Sequence, residues 1–169
     1  MFESEKERKR TYLVFGLYLF ILIWLVMFKF SFDLRDISRL RNINLIPFRY
    51  AEQTSPLSHK KEVFENILIF IPMGIYALIL RPKAPLWKNM LIGLYVSLAF
   101  ETAQYIFALG ASDITDLMTN TAGGILGIGI FLLMKKIFKE KTLKVINSLG
   151  LVAAGILGAG LVVLGVGNL

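Results

Sequence analysis

The polar side chains of this chain stand where they are most costly. Glu101 and Gln104 interrupt an apolar run three residues apart, which places them on one face of a helix. Asp113, Asp116 and Asn120 follow at spacings of three and four, again on one face, and Asn66 lies near the start of another apolar run. A charged side chain at the centre of a membrane span costs on the order of 2.5–3.5 kcal/mol on insertion scales, so such groups usually mark a site or a partner. Several carboxylates near one another in low dielectric cannot all stay ionised without a counter-charge. Arg39, Arg41 and Arg49, in the polar stretch before Asn66, are candidates to supply it. Folded over the helix ends as a lid, they would also suit a phosphate or carboxylate ligand. Two chemistries are open. In the first, Arg39, Arg41, Arg49, Asn66, Gln104 and Asn120 bind a ligand. In the second, Glu101 acts as general acid or base, and Asp113 and Asp116 orient it or share a divalent cation. No nucleophile motif or phosphate-binding loop accompanies the second.

The elements that must position these residues are long and apolar. The chain has 169 residues, 56% of them hydrophobic and 18% charged, with a mean hydropathy of +0.64. That deficit of charge points to lipid as the solvent. Cysteine is absent and His59 is the single histidine, which excludes disulfides, thiolate metal sites and an imidazole cluster for zinc. No cofactor is expected beyond the cation considered at Asp113 and Asp116. The formal charge is +7, but the basic residues gather between apolar runs, as membrane topology requires, and nucleic acid is not an expected partner.

The apolar runs predict an all-α, polytopic bundle of about five transmembrane helices, a single domain over residues 1–169. The helices are expected at about 12–30, 63–80, 87–109, 116–134 and 145–166, with a polar loop at 31–62. Each is near the ~20 residues that cross ~30 Å of hydrocarbon. The first run is too long and lacks the small-residue cleavage site of a signal peptide, so it reads as an uncleaved helix. Lys6, Arg8, Lys9 and Arg10, then Arg81, Lys83 and Lys88, then the lysines from Lys135 to Lys144 fall on one side if the N-terminus is inside. The positive-inside rule therefore favours N-terminus in and C-terminus out, with the 31–62 loop outside. The Gly110-Ala111-Ser112 turn is short enough to force helices three and four into a tight hairpin. That brings Glu101 and Gln104 within reach of Asp116 and Asn120, and Gly123-x-x-x-Gly127 allows a further helix to approach closely.

Taken in order, Asn44-x-x-Pro47-Phe48, Asn66-x-x-x-Phe70-x-Pro72-x-Gly74, Glu101-x-x-Gln104 and Asp113-x-x-Asp116-x-x-x-Asn120-x-x-Gly123 resemble the VanZ-like family over about 44–129. The resemblance implies a bacterial cell-membrane protein of the envelope, in a family named after an accessory protein that lowers susceptibility to teicoplanin. It adds Asn44 to the ligand-binding candidates. In that setting the outward-facing polar pocket with its basic lid makes a lipid-linked cell-wall intermediate or the glycopeptide itself an expected partner beside the lipid bilayer. The family often carries an arginine three residues before the first aspartate. Gly110 stands there in this chain, so any counter-charge comes from elsewhere.

Plainer roles compete with each of these. Asp113 and Asp116 at a helix start serve as caps, favourable for the orphan N–H groups and the dipole. Glu101 and Gln104 serve as hydrogen-bonding glue between helices. The loop arginines and His59 are solvated, and Asn44 to Pro47 is a turn. Gly150, Ala154 and Gly158 mark close packing. The functional expectation is an envelope protein that modulates teicoplanin susceptibility through an outward-facing polar pocket for a lipid-linked or amphiphilic ligand. The alternative is a membrane-embedded enzyme acting on a lipid head group. A transporter is third, since no internal repeat is evident.

Overall fold

The computed structural model describes residues 2, 4–28, 41–49 and 55–167. In chain order these form α1 (Glu5–Phe28), β1 (Arg41–Asn44), α2 (Pro56–Leu80), α3 (Leu86–Phe107), β2 (Gly110–Asp113), α4 (Ile114–Phe138), a 3₁₀ turn (Lys139–Lys141) and α5 (Thr142–Gly167). The all-α expectation holds, with five α-helices among the described residues. Four helical stretches are long and apolar enough to cross a membrane. The last, Ile114–Gly160, runs through the 3₁₀ turn and so takes in both α4 and most of α5.

Helix ends fall outside the apolar runs because capping chemistry, not hydropathy, sets them. The second helix begins at Pro56 rather than near residue 63: the Ser55 side chain accepts from Ser58 N at 3.1 Å, and Pro56 occupies the first helical position. α1 likewise begins at Glu5, where Ser4 Oγ accepts from Glu7 N at 3.1 Å. α4 ends where Lys139 takes a left-handed φ of 49°. Thr142 Oγ1 then donates to the freed Lys139 carbonyl at 2.6 Å.

The chain divides into two compact units, 1–32 with 133–169, and 33–132. In the first, α1 and α5 are joined by a buried bond from Asn147 Nδ2 to Thr11 Oγ1, 2.8 Å, and by Arg10 Nη2 donating to Ser148 Oγ at 3.3 Å. In the second, α2 and α4 pack backbone against backbone. A Cβ on Gly74 would collide with the Gly124 carbonyl, one on Gly127 with that of Ile71, and one on Gly123 with that of Ile67. α3 lies antiparallel to α4, with Gly93 against Asn120 and Gly124. The buried face of α3 is Asn89, Gly93, Ser97, Glu101 and Gln104, while Leu98, Ile106 and Phe107 point outward. Polar and small inside, apolar outside, is the arrangement that lipid rather than water selects.

The short turn expected at Gly110–Ser112 is in fact strand β2. It pairs in parallel with β1 in a register that sets Asn44 opposite Asp113. A four-residue strand in each partner gives no periodic signal, and the pairing joins positions far apart in sequence.

Candidate functional site

The site is built by a reversal at the end of α3. Ala108 takes a left-handed φ of 54°, Leu109 N donates to the Gln104 carbonyl at 2.9 Å, and Ala108 N donates to that of Tyr105 at 3.4 Å. These two bonds close the helix in a Schellman arrangement. The chain then runs back along α3 to the level of Glu101, about 9 Å short of the helix end at Phe107 by helix rise. There Ser112 Oγ donates to the Glu101 carbonyl at 2.8 Å, and Asp113 N donates to Glu101 Oε2 at 2.9 Å.

Asp113 then starts α4. Its Oδ1 accepts from Thr115 N at 2.7 Å, the bond of an N-cap residue. Its Oδ2 accepts from Asn44 Nδ2 at 2.9 Å. The same Asn44 amide donates to the Arg49 carbonyl at 3.0 Å, and Asn44 Oδ1 accepts from Ile46 N at 3.2 Å. Phe48, at φ 57°, donates its N–H to Thr115 Oγ1 at 2.9 Å. Four segments of chain thus meet at Glu101, Asp113 and Asn44. Glu101 is 8% exposed.

This knot forms one wall of a pocket of about 280 Å³. Asn44, Glu101, Ser112 and Asp113 line it together with apolar side chains including Leu45, Leu98, Tyr105 and Leu117. A few convergent polar groups in an otherwise apolar hollow are what an amphiphile needs: the polar groups fix orientation and the apolar walls supply contact area.

The other expected site residues form two further polar contacts beneath this wall. Asn66 Nδ2 donates to Asp116 Oδ1 at 2.7 Å, linking α2 to α4. Asn120 Nδ2 donates to Ser97 Oγ at 2.9 Å, linking α4 to α3. Glu101 thus accepts from the Asp113 amide and Asn120 donates to Ser97, two contacts the spacing of the polar residues did not name. Gln104 is buried on the face of α3 that carries Glu101. Asp113 Oδ2 accepts from Asn44, and Asp116 Oδ1 accepts from Asn66. Among the described residues no group of three or more His, Asp or Glu could hold a metal ion.

Of the arginines expected in a lid, the side chain of Arg49 alone is among the described residues. Arg49 is exposed and enters the site through its backbone carbonyl. Arg41 lies in β1, paired with Gly110, and Arg39 falls outside the described residues. Sequence reasoning missed Ser97, Ser112 and Thr115. Ser97 had a usable signal, since it stands four residues before Glu101 and four after Gly93, on the one small and polar stripe of α3.

Comparison with known proteins identifies relatives of this chain. A family model described as VanZ/LLP1 matches residues 15–135. Protein VanZ of Enterococcus faecium is 37% identical over 130 residues, covering 76% of this chain and 77% of that relative. No solved structure matches.

Proposed function

The chain belongs to the VanZ/LLP1 family, and on that premise we propose that it modulates susceptibility to teicoplanin-class glycopeptides. It does so as a multi-pass protein of the bacterial cell membrane, a single VanZ-like domain with its N-terminus inside and its C-terminus outside. The Glu101–Asp113–Asn44 pocket faces outward and binds a lipid-linked cell-wall intermediate or the amphiphilic antibiotic. The observation that carries this reading is the pocket itself, with two carboxylates and a carboxamide on one wall and apolar side chains on the others. Carboxylates on the wall favour ligands that bring ammonium or hydroxyl donors.

The test is growth of a Gram-positive host expressing the wild type, Glu101→Gln or Asp113→Asn at matched membrane levels, challenged with teicoplanin and with vancomycin. Wild type should lower teicoplanin susceptibility selectively, and both variants should lose most of that effect. If wild type leaves susceptibility unchanged, the resistance role does not belong to this chain. The buried Glu101 carboxylate on a pocket wall also favours a second reading, in which it acts as general acid or base on a lipid head group. Turnover of envelope lipids by purified protein in vesicles, abolished by Glu101→Gln, would establish that reading; binding without turnover would remove it.

A further inference from the structure

The end of β1 and the turn after it carry four large apolar side chains outward. Ile43 is 53% exposed, Leu45 72%, Ile46 52% and Phe48 52%. In water, so dense a group on so short a turn would invite association with another apolar surface. Three backbone donors of the same turn are paired within the protein. Ile46 N donates to Asn44 Oδ1, Phe48 N to Thr115 Oγ1, and Arg49 N to the Ile46 carbonyl at 3.3 Å, while Pro47 has no N–H to satisfy. Irregular chain is tolerated at membrane depth only when its polar backbone groups are paired within the protein. These donors meet that condition.

The root of the turn also lies at the right depth. Asn44 is bonded to Asp113, and Asp113 N to Glu101, about 9 Å short of the end of α3. The apolar surface is continuous with that of the spanning helices. Ile43 and Leu45 share the pocket with Leu98 and Tyr105 of α3, which are 49% and 42% exposed on its lipid-facing side. Leu98 and Thr102 pass directly into a second hollow along α3, lined by Tyr95, Ala99, Ile106 and Phe107.

We propose that residues 43–48 form a lipid-inserted finger. Ile43, Leu45, Ile46 and Phe48 sit among the acyl chains of the adjacent leaflet, and the pocket behind them opens sideways into lipid rather than up into water. The ligand class follows from that opening, and this part rests on the proposed binding function. A bilayer-resident amphiphile enters from the leaflet, its chain along α3 and its head at Asn44, Glu101 and Asp113. The insertion itself stands without any ligand.

The absence of cysteine makes the test direct. Leu45→Cys and Phe48→Cys are spin-labelled in phospholipid vesicles. Their collision rates with oxygen, which concentrates in hydrocarbon, and with a water-soluble nickel chelate are compared. Ile106→Cys on the outer face of α3 is the lipid reference, and Lys83→Cys in the α2–α3 turn is the water reference. Unchanged helical circular dichroism qualifies each variant. Labels at 45 and 48 should follow Ile106, with oxygen collisions several-fold above those of the chelate. Chelate collisions matching Lys83 would overturn the finger, even if the susceptibility assay gave a positive result. A lipid-like profile beside an unchanged susceptibility would uphold the finger and remove the binding function alone.

Discussion

Two polar contacts, the buried Thr11–Asn147 pair between α1 and α5 and the part-buried Glu101–Asp113–Asn44 knot in the other unit, differ in what they border. Thr11 and Asn147 are almost fully enclosed, at 0% and 1% exposure, and both are neutral. Thr11 Oγ1 donates in turn to the Glu7 carbonyl at 3.0 Å, while the buried Asn147 Oδ1 has no hydrogen-bond partner among the described residues. Such a pair holds two helices together and is worth on average ~0.6 kcal/mol in a membrane bundle. The other contact is acidic, ties together four segments of chain and borders a pocket. Glue needs neither charge nor a hollow. A buried carboxyl beside a second one at the edge of a hollow is the arrangement the proposed site requires.

The largest effect should come from the scaffold under the acidic knot. Gly74→Val drives a side chain into the Gly124 carbonyl and the Ile128 amide nitrogen. Overpacking of this kind costs ~1–3 kcal/mol where neighbours can move, and more where they are backbone. Little folded protein should be recovered in detergent. Gly16→Ala in α1 is the matched control, with nothing within 4 Å of the new methyl. It should raise helix stability by about 0.5–1 kcal/mol.

Next in size is Asn44→Asp, which sets a carboxylate against Asp113 Oδ2 and removes both amide donations. A loss of ~2 kcal/mol in denaturant titration is expected, from the unmade bonds and like-charge repulsion. The susceptibility effect should vanish with it. Asn147→Ala should cost ~1 kcal/mol or less and leave susceptibility as in wild type. A functional defect in Asn147→Ala equal to that of Asn44→Asp would erase the distinction between glue and site. The smallest effect is Phe48→Gly, which relieves a left-handed backbone at φ 57°. Strain relief of a few tenths to about 1 kcal/mol is opposed by loss of the apolar side chain, so the net change in the same titration should stay within ~1 kcal/mol.

The helices were legible because twenty apolar residues in a row admit only one state in lipid. The polar residues were legible because each stands out on an apolar background. Their partners were not. Spacing along one helix places Glu101 with Gln104, but the left-handed turn at Ala108 shifts the following chain back by about six residues of α3. Glu101 Oε2 therefore accepts from the Asp113 amide. Nothing local announces that turn, since alanine rather than glycine occupies it. The pairing of β1 with β2 was equally hidden, because four-residue strands carry no pattern and their register is fixed by the Asn44–Asp113 bond across 69 residues. Asn44 itself was visible only through the family resemblance, and as a turn former; its bond to Asp113 is the structural reason for that position.

The central claim is that the acidic knot is a working site and not a helix fastener. The most direct test measures teicoplanin susceptibility for Glu101→Gln and Asn147→Ala side by side, at equal membrane levels and with folding verified. The account predicts that Glu101→Gln loses most of the wild-type effect while Asn147→Ala keeps it. Full effect in Glu101→Gln, with its one oxygen-for-nitrogen exchange, would contradict the claim and leave the knot as glue.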